Sequence, residues 1–157
     1  MAPSLEYAFT ISAAIAPAQN FGTTFAGFRR FVPITGGTVE GPRLNGTVTA
    51  GGGDWNSVRS DGVLHILAKY TIELEDGTLI NVHNEGYGRA GNKTFAFGGD
   101  APTNATGGSG KGWYAKTYPR FEVAPGPHEW LNQYSFIGDM LQPTSQDYAV
   151  IEVYGVF

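Results

Sequence analysis

The segment GGGDWNSVRSDG, residues 51–62, places two carboxylates and a guanidinium around a bulky aromatic ring. An acid such as Asp54, held beside Trp55 at the rim of a cavity, would lose solvation, and its raised pKa would let it donate a proton. Arg59 can instead pair with Asp54 or with Asp61 and close the loop. An aspartate followed by glycine, as at position 61, is also a favoured turn dipeptide. The segment therefore predicts either a proton donor or a braced turn.

Other catalytic classes find no support in the sequence. The glycines at 51–53 lack the lysine and the following helix of a phosphate loop. The histidines His65, His83 and His128 lie on separate segments without metal-ligand spacing, so no metal site is predicted. No Gly-x-Ser-x-Gly elbow is present, and the chain contains no cysteine, which excludes thiolate chemistry. The remaining polar candidates lie within aromatic strand-like segments: Tyr70, Asn84, Tyr114, Lys116, Glu122 and Asn132.

Composition and charge restrict the class of protein. The 157 residues fit one domain, and a net charge of -4 without a basic stripe argues against a nucleic-acid partner. The apolar run at 8–16 follows Glu6 and has no cationic leader, so it reads as a strand and not as a signal peptide. No stretch approaches the roughly 20 apolar residues that a membrane-spanning helix needs. We therefore expect a cytoplasmic protein without a membrane partner.

The strongest secondary-structure signal is the hairpin GVLHILAKYTIELEDGTLINVHNEGYG, residues 62–88. Period-two alternation places one set of side chains on a single face, which we expect to be buried: Leu64, Ile66, Ala68, Tyr70, Ile72 and Leu74. On the partner strand, the same rule places Ile80, Val82 and Asn84 together. The buried face of this hairpin is therefore predicted to carry a polar residue, Asn84, at its end.

The whole chain has the composition of an all-β protein. It contains 23 glycines and many aromatic and β-branched residues, and no long helical pattern is present apart from a short turn within 130–140. About eight to ten antiparallel strands predict a closed up-and-down β-barrel with a central cavity, because closure removes exposed edges; a sandwich is the alternative. The Gly-, Asn- and Thr-rich stretch 98–112 is predicted to be a lid or a disordered loop.

The order of motifs resembles one known family. GGGDWNSVRSDGVLHILAKYTIELEDGTLINVHNEG, YAKTYPRFEVA, HEWLNQYSFIG and the terminal VIEVYGV, with the upstream FRRFVPITGGTVEG, are similar to the family known as domain of unknown function 3237. The likeness covers almost the whole chain apart from 98–112. It implies a β-barrel with an internal cavity and neither a metal nor an organic cofactor. The family's Trp-Leu-Asn is intact at 130–132, whereas its usual Tyr-Phe-Arg-Thr is Tyr-Ala-Lys-Thr at 114–117.

The resemblance also implies an activity. Some members of the family are associated with the cyclisation of prenylated aromatic polyketides in fungal secondary metabolism, by adding a hydroxyl group across an alkene. We therefore expect a cofactor-independent cyclase or isomerase that acts on a hydrophobic aromatic small molecule. Two alternatives stay open: a non-catalytic, lipocalin-like carrier of a small aromatic ligand, and a structural barrel whose interior is filled. An oligomer of identical chains is compatible with the sequence.

Such a reaction needs a general acid, a site that tolerates a tertiary cation and groups that position the attacking hydroxyl. Asp54 is the first candidate for the acid and Glu122 the second. Four rings are candidates to face the cation: Trp55, Tyr70, Tyr114 and Trp130. Three cations are candidates to stabilise a phenolate oxygen: Arg59, Lys116 and His83. Asn84 and Asn132 are expected to orient substrate oxygens.

Overall fold

The computed structural model describes residues 1–90 and 113–157, so the predicted loop at 98–112 lies outside the described residues. The strands are β1 Leu5–Ile15, β2 Gln19–Thr24, β3 Gly27–Glu40, β4 Gly46–Val48, β5 Gly52–Val58, β6 Leu64–Leu74, β7 Leu79–Ala90, β8 Trp113–Thr117, β9 Arg120–Glu122, β10 Phe136–Met140 and β11 Tyr148–Val156. A single 3₁₀ turn, Glu129–Asn132, lies within the described ranges. No helix in these ranges is long and apolar enough to cross a membrane.

The sheet closes on itself. Strand β1 pairs with β3 and β11, and the circle continues through β5, β6, β7, β8 and β10, each pair antiparallel. These eight strands form the closed antiparallel barrel. Neighbours in the circle are also successive along the chain, apart from short extra strands. The predicted up-and-down barrel is therefore confirmed, and the sandwich is excluded.

The glycines at 51–53 are explained by strand geometry. Strands β4 and β5 both pair with β6: Val48 lies opposite Ile72, whereas Gly53 lies opposite Lys69. The segment from Val48 to Gly53 contains more residues than the opposing segment of β6, from Lys69 to Ile72, so it must bulge. Within this bulge Gly51 takes a φ of 115°. A Cβ on Gly52 would lie 2.4 Å from the carbonyl oxygen of Lys69. This glycine run therefore allows close approach of two strands.

The predicted hairpin is confirmed, and so is the burial of its predicted apolar face. Strands β6 and β7 pair antiparallel, and the turn at 75–78 joins them. All six side chains of the predicted apolar face of β6 are buried. Asn84 is also buried, at 2% exposure. The alternation thus brings an amide into the barrel interior.

One half of the barrel interior is filled by aromatic rings. Phe121 packs edge-on against Phe9 at 5.6 Å and against Phe136 at 5.1 Å between ring centroids, and Trp130 lies 5.9 Å from Phe136. The 3₁₀ turn packs beneath them through Leu131, which is fully buried. We call this half the closed end.

Candidate active site

A cavity with a volume of about 40 Å³ lies in the half of the barrel away from the closed end. Its wall is formed mostly by aliphatic side chains: Ala13, Ile15, Val32, Ile34, Ile66, Ala68, Met140, Ala149 and Ile151. Three polar residues complete the wall, Asp54, Tyr70 and Asn84. All three were predicted from the sequence as site residues, and the structure brings them together.

Strand pairing explains how these residues meet. Asp54 on β5 lies opposite Ala68 on β6, and Ala68 lies opposite Asn84 on β7. Directly paired residues project to the same face of a sheet, so Asp54 and Asn84 face the cavity in one layer with a small alanine between them. Tyr70 points inward two residues further along β6. The layer therefore presents an acid and an amide on either side of Ala68, and a phenol lies in the next layer.

Asp54 is a buried acid with satisfied oxygens. The backbone N–H of Leu67 donates to its Oδ1 at 2.9 Å, and Nδ2 of Asn56 donates to its Oδ2 at 3.0 Å. Burial raises the pKa of Asp54 above the ordinary value for aspartate, although these hydrogen bonds and the charge of Arg30 act in the opposite direction. The site therefore favours the neutral carboxyl group of Asp54 more than water does.

Arg30 and Asn56 belong to the same interior network, and the sequence analysis missed both. Nε of Arg30 donates to Oδ1 of Asn56 at 3.0 Å, so Asn56 links the guanidinium to Asp54. Arg30 is only 3% exposed. Its pKa is lowered by burial, and the charge of Asp54 partly offsets this effect. The signal was present in the alternation of RRFVPI, where Arg30 shares a face with Val32 and Ile34.

Tyr70 and Asn84 have unused hydrogen-bonding capacity. The hydroxyl of Tyr70 and Oδ1 of Asn84 are buried and have no hydrogen-bond partner among the described residues. Burial alone raises the pKa of Tyr70 above its ordinary value, which keeps the phenol neutral. Because buried polar groups are nearly always paired, two such groups on one cavity wall indicate a place for a polar ligand or water.

The neighbours of Asp54 in its own segment lie elsewhere. Trp55 follows Asp54 on an extended strand and therefore points to the outer surface, where it is 39% exposed and stacks on Phe31 at 4.7 Å. Arg59 pairs with Asp61 in the exposed turn after β5, with Nε to Oδ1 at 3.1 Å. The prediction that Arg59 closes a loop is confirmed for Asp61 and not for Asp54. Neither Trp55 nor Arg59 lines the cavity.

The other predicted cations also lie on the outer face. Lys116 forms an ion pair with Asp139 on the neighbouring strand. His83 lies 3.3 Å through Nε2 from Oε2 of Glu85, and His65 reaches the other oxygen of the same carboxylate at 2.9 Å. These side chains alternate with the inward residues of β7 and β8. The structure therefore does not bring Lys116 or His83 to the cavity.

Tyr114, on the same strand as Lys116, is also an outer-face residue. It is 40% exposed, and the guanidinium of Arg89 lies 4.6 Å above its ring. The ring is therefore committed to a surface cation–π contact. It does not face the cavity.

The last three predicted site residues lie at the closed end. Glu122 is exposed and accepts a 3.4 Å hydrogen bond from Asn81. Asn132 brackets the backbone of Val123: its Oδ1 accepts from the N–H at 3.0 Å and its Nδ2 donates to the carbonyl oxygen at 2.8 Å. Trp130 packs on the aromatic rings described above. The contacts of these residues are structural and distant from Asp54.

The side chains of the cavity wall can transfer a proton, but the cavity is small. A protonated acid in an aliphatic wall can donate to an uncharged group, and the neighbouring phenol and amide can hold an oxygen beside it. A volume of about 40 Å³ is well below the roughly 150 Å³ that admits benzene in an engineered cavity. Entry of an aromatic ring therefore requires movement of wall side chains such as Met140.

Comparison with solved structures supports the barrel. The chain superimposes on a Rhodopseudomonas palustris protein of unknown function with a TM-score of 0.82 at 32% identity, covering 100% of this chain and 99% of that one. It superimposes on a beta-barrel like protein from Acinetobacter baumannii with a TM-score of 0.81, also at 32% identity, covering 100% and 98%. A crystal structure of an enzyme from Penicillium herquei has the same fold, with a TM-score of 0.71 at 20% identity, covering 100% and 96%.

Sequence comparison gives the same relationships. A UPF0311 protein of Rhodopseudomonas palustris is 34% identical over 99% of both chains. A Penicillium herquei protein named hydroalkoxylation enzyme phnH is 32% identical over 51% of this chain and 53% of its own length. The bacterial UPF0311 protein is thus matched over nearly the whole of both chains, whereas phnH is matched over about half of each. Because the model of the family described as "Protein of unknown function (DUF3237)" matches residues 3–156, nearly the whole barrel, the chain belongs to the DUF3237 family.

Proposed function

We propose that this protein is a cofactor-independent isomerase that closes a ring by adding a hydroxyl group of its substrate across an alkene, with Asp54 as the general acid. The observation that carries the proposal is the placement of Asp54 in an aliphatic cavity wall, which also carries two polar groups without hydrogen-bond partners among the described residues. Burial raises the pKa of Asp54, which suits an acid that must keep its proton until substrate is bound.

The carboxyl group of Asp54 both donates the proton that the reaction needs and takes up the proton that it releases. The proton of Asp54 is transferred to the less substituted alkene carbon, and the π electrons form the new C–H bond. The positive charge then lies on the more substituted carbon, which the substrate hydroxyl oxygen attacks to form the C–O bond. The hydroxyl proton returns to the Asp54 carboxylate. Product and substrate therefore have the same mass.

The remaining wall residues assist this sequence. The hydrogen bonds from Leu67 and Asn56 stabilise the Asp54 carboxylate while the cation exists. The hydroxyl of Tyr70 and the amide of Asn84 are available to orient the attacking oxygen. The aliphatic wall excludes water that would otherwise capture the cation. Of the four predicted rings, only Tyr70 faces the cavity, so we assign cation stabilisation to Tyr70 alone.

The relatives support the reaction class. The Penicillium herquei relative is named as a hydroalkoxylation enzyme, which motivates the same reaction here. We extend the proposal to prenylated aromatic polyketides as the substrate class in fungal secondary metabolism. For a chain without cysteine, we also propose a cytoplasmic location.

The test uses ortho-prenylphenol, whose ring closure gives a chroman of equal mass. In D₂O, wild-type protein should convert it to an isomer with one carbon-bound deuterium. Asp54→Asn should lower turnover by about 100-fold or more, whereas Asp61→Asn, which changes an exposed aspartate in the turn, should leave it unchanged. A folded Asp54→Asn protein with wild-type turnover would contradict the assignment of Asp54.

The same experiment separates catalysis from carriage. A lipocalin-like carrier would hold ortho-prenylphenol in a stable complex and return it unchanged on extraction. Retention of the starting compound by the wild-type protein, with no deuterium on carbon, would favour the carrier.

A further inference from the structure

Arg30 is a buried cation without a carboxylate partner in the described part of the chain. Its Nε donates to the neutral amide of Asn56, and its Nη2 is buried and has no hydrogen-bond partner within residues 1–90 and 113–157. A buried guanidinium that is left unpaired is costly, because desolvation is not repaid by an opposite charge. The function proposed above gives this group no role.

Asp54 does not fill the place of a counter-ion. No hydrogen bond or ion pair among the described residues joins it to Arg30 directly: Asn56 bridges the two, and the charge of Asp54 only partly offsets the effect of burial on the pKa of Arg30. The buried guanidinium keeps a donor, Nη2, that no described residue satisfies. The interior is therefore electrostatically prepared for an anion.

The strand register places Arg30 next to the reacting group. Arg30, Val32 and Ile34 alternate inward on β3, and Val32 and Ile34 line the cavity. Val32 lies opposite Asp54 and Arg30 lies opposite Asn56. Inward residues two apart on a strand are separated by about 7 Å. Arg30 thus belongs to the layer adjacent to that of Asp54.

We propose that Nη2 of Arg30 binds an ionised oxygen of the substrate, so that the substrate class is an acidic aromatic compound. The register places Arg30 one layer of the barrel from Asp54, so the anionic group and the alkene that Asp54 protonates occupy adjacent layers. Ortho-prenylphenol, the neutral probe used above, lacks this group and therefore reports on the Asp54 reaction alone. The position of the alkene rests on the function proposed above, whereas the anion subsite does not.

The test is a matched pair of probes, salicylate and salicylamide, which have nearly the same shape and differ in charge. Wild-type protein should bind salicylate about tenfold or more tightly by calorimetric titration, the magnitude expected for a charge-assisted hydrogen bond. Arg30→Gln should bind the two probes equally. Arg59→Gln removes an exposed arginine and should keep the full preference for salicylate.

Equal affinity of the wild-type protein for both probes would overturn the proposal, and so would the absence of binding of either at millimolar concentration. These wild-type measurements decide the question even if Arg30→Gln does not fold. A salicylate preference that survives in folded Arg30→Gln also overturns it. Failure of the isomerase reaction would leave the salicylate preference untouched, so the two proposals fail separately.

Discussion

Asn56 donates a hydrogen bond of 3.0 Å from Nδ2 to Oδ2 of Asp54, in the interior of the barrel. The same amide accepts from Nε of Arg30 through its oxygen, so its orientation is fixed from both sides. A neutral amide between an acid and a guanidinium holds both in position without joining them in an ion pair. The carboxyl group thereby remains available as a proton donor.

Asp54 should make the stability of the fold depend on pH. Because its folded-state pKa is raised, its contribution is fully present below the ordinary aspartate pKa and is lost as pH rises through the folded-state value. The difference in unfolding free energy between wild type and Asp54→Asn, from urea titrations across this range, should therefore fall with rising pH. A difference that grew with pH would mean that the fold favours the carboxylate.

The unpartnered hydroxyl of Tyr70 should cost stability. Tyr70→Phe removes a buried group that has no hydrogen bond among the described residues, so we expect a gain of about 1 kcal/mol in unfolding free energy, together with weaker binding of ortho-prenylphenol. Tyr154→Phe is the control, because that hydroxyl donates to Glu152 at 2.8 Å and its loss brings no gain. A marked loss of stability in Tyr70→Phe would show that its hydroxyl is already bonded.

Met140 should limit the size of the ligand. Met140→Ala enlarges the cavity at a buried position and should cost about 2–5 kcal/mol of stability while increasing the affinity for ortho-prenylphenol. Leu131→Ala at the closed end should cost a similar amount without changing that affinity. If Met140→Ala bound ortho-prenylphenol with the same affinity as the wild type, Met140 would not limit the entry of the ligand.

Asn132 should stabilise the fold and not the ligand complex. Asn132→Ala removes two hydrogen bonds to the backbone of Val123, and we expect it to lower the unfolding free energy by about 1–3 kcal/mol. Asn81→Ala, which removes an exposed 3.4 Å hydrogen bond, should change little. We also expect Asn132→Ala to bind ortho-prenylphenol with unchanged affinity. A large loss of affinity would show that Asn132 contributes to the ligand site.

The parts of the fold that follow from local alternation could be predicted from the sequence. The hairpin of β6 and β7 placed Tyr70 and Asn84 on the buried face, and both line the cavity. The same rule shows that two of the predicted site residues cannot both line the cavity. Adjacent residues on a strand point to opposite faces of the sheet, so Asp54 and Trp55 cannot both point inward. Because Asp54 points inward, alternation along β5 places Trp55 on the outer face, away from the cavity.

The rest depends on contacts between distant segments. Lys116 finds Asp139, and Asn132 finds Val123, only after the barrel has closed. Arg30 was missed because arginine is mostly an exposed residue, and its burial depends on Asn56 across the strand pair. Sequence patterns therefore indicated the acid and the barrel, but not the cation that lies beside them.

The central claim is that Asp54 holds a proton inside the barrel, and NMR titration of ¹³C-labelled aspartate tests it most directly. The account predicts that the carboxyl carbon assigned with Asp54→Asn titrates above the ordinary aspartate pKa, whereas the exposed Asp61, whose pKa is lowered chiefly by its hydrogen bond from Arg59, titrates below it. An Asp54 carboxyl that titrated at or below the ordinary value would show that the barrel interior favours the carboxylate, and it would contradict the proposed acid.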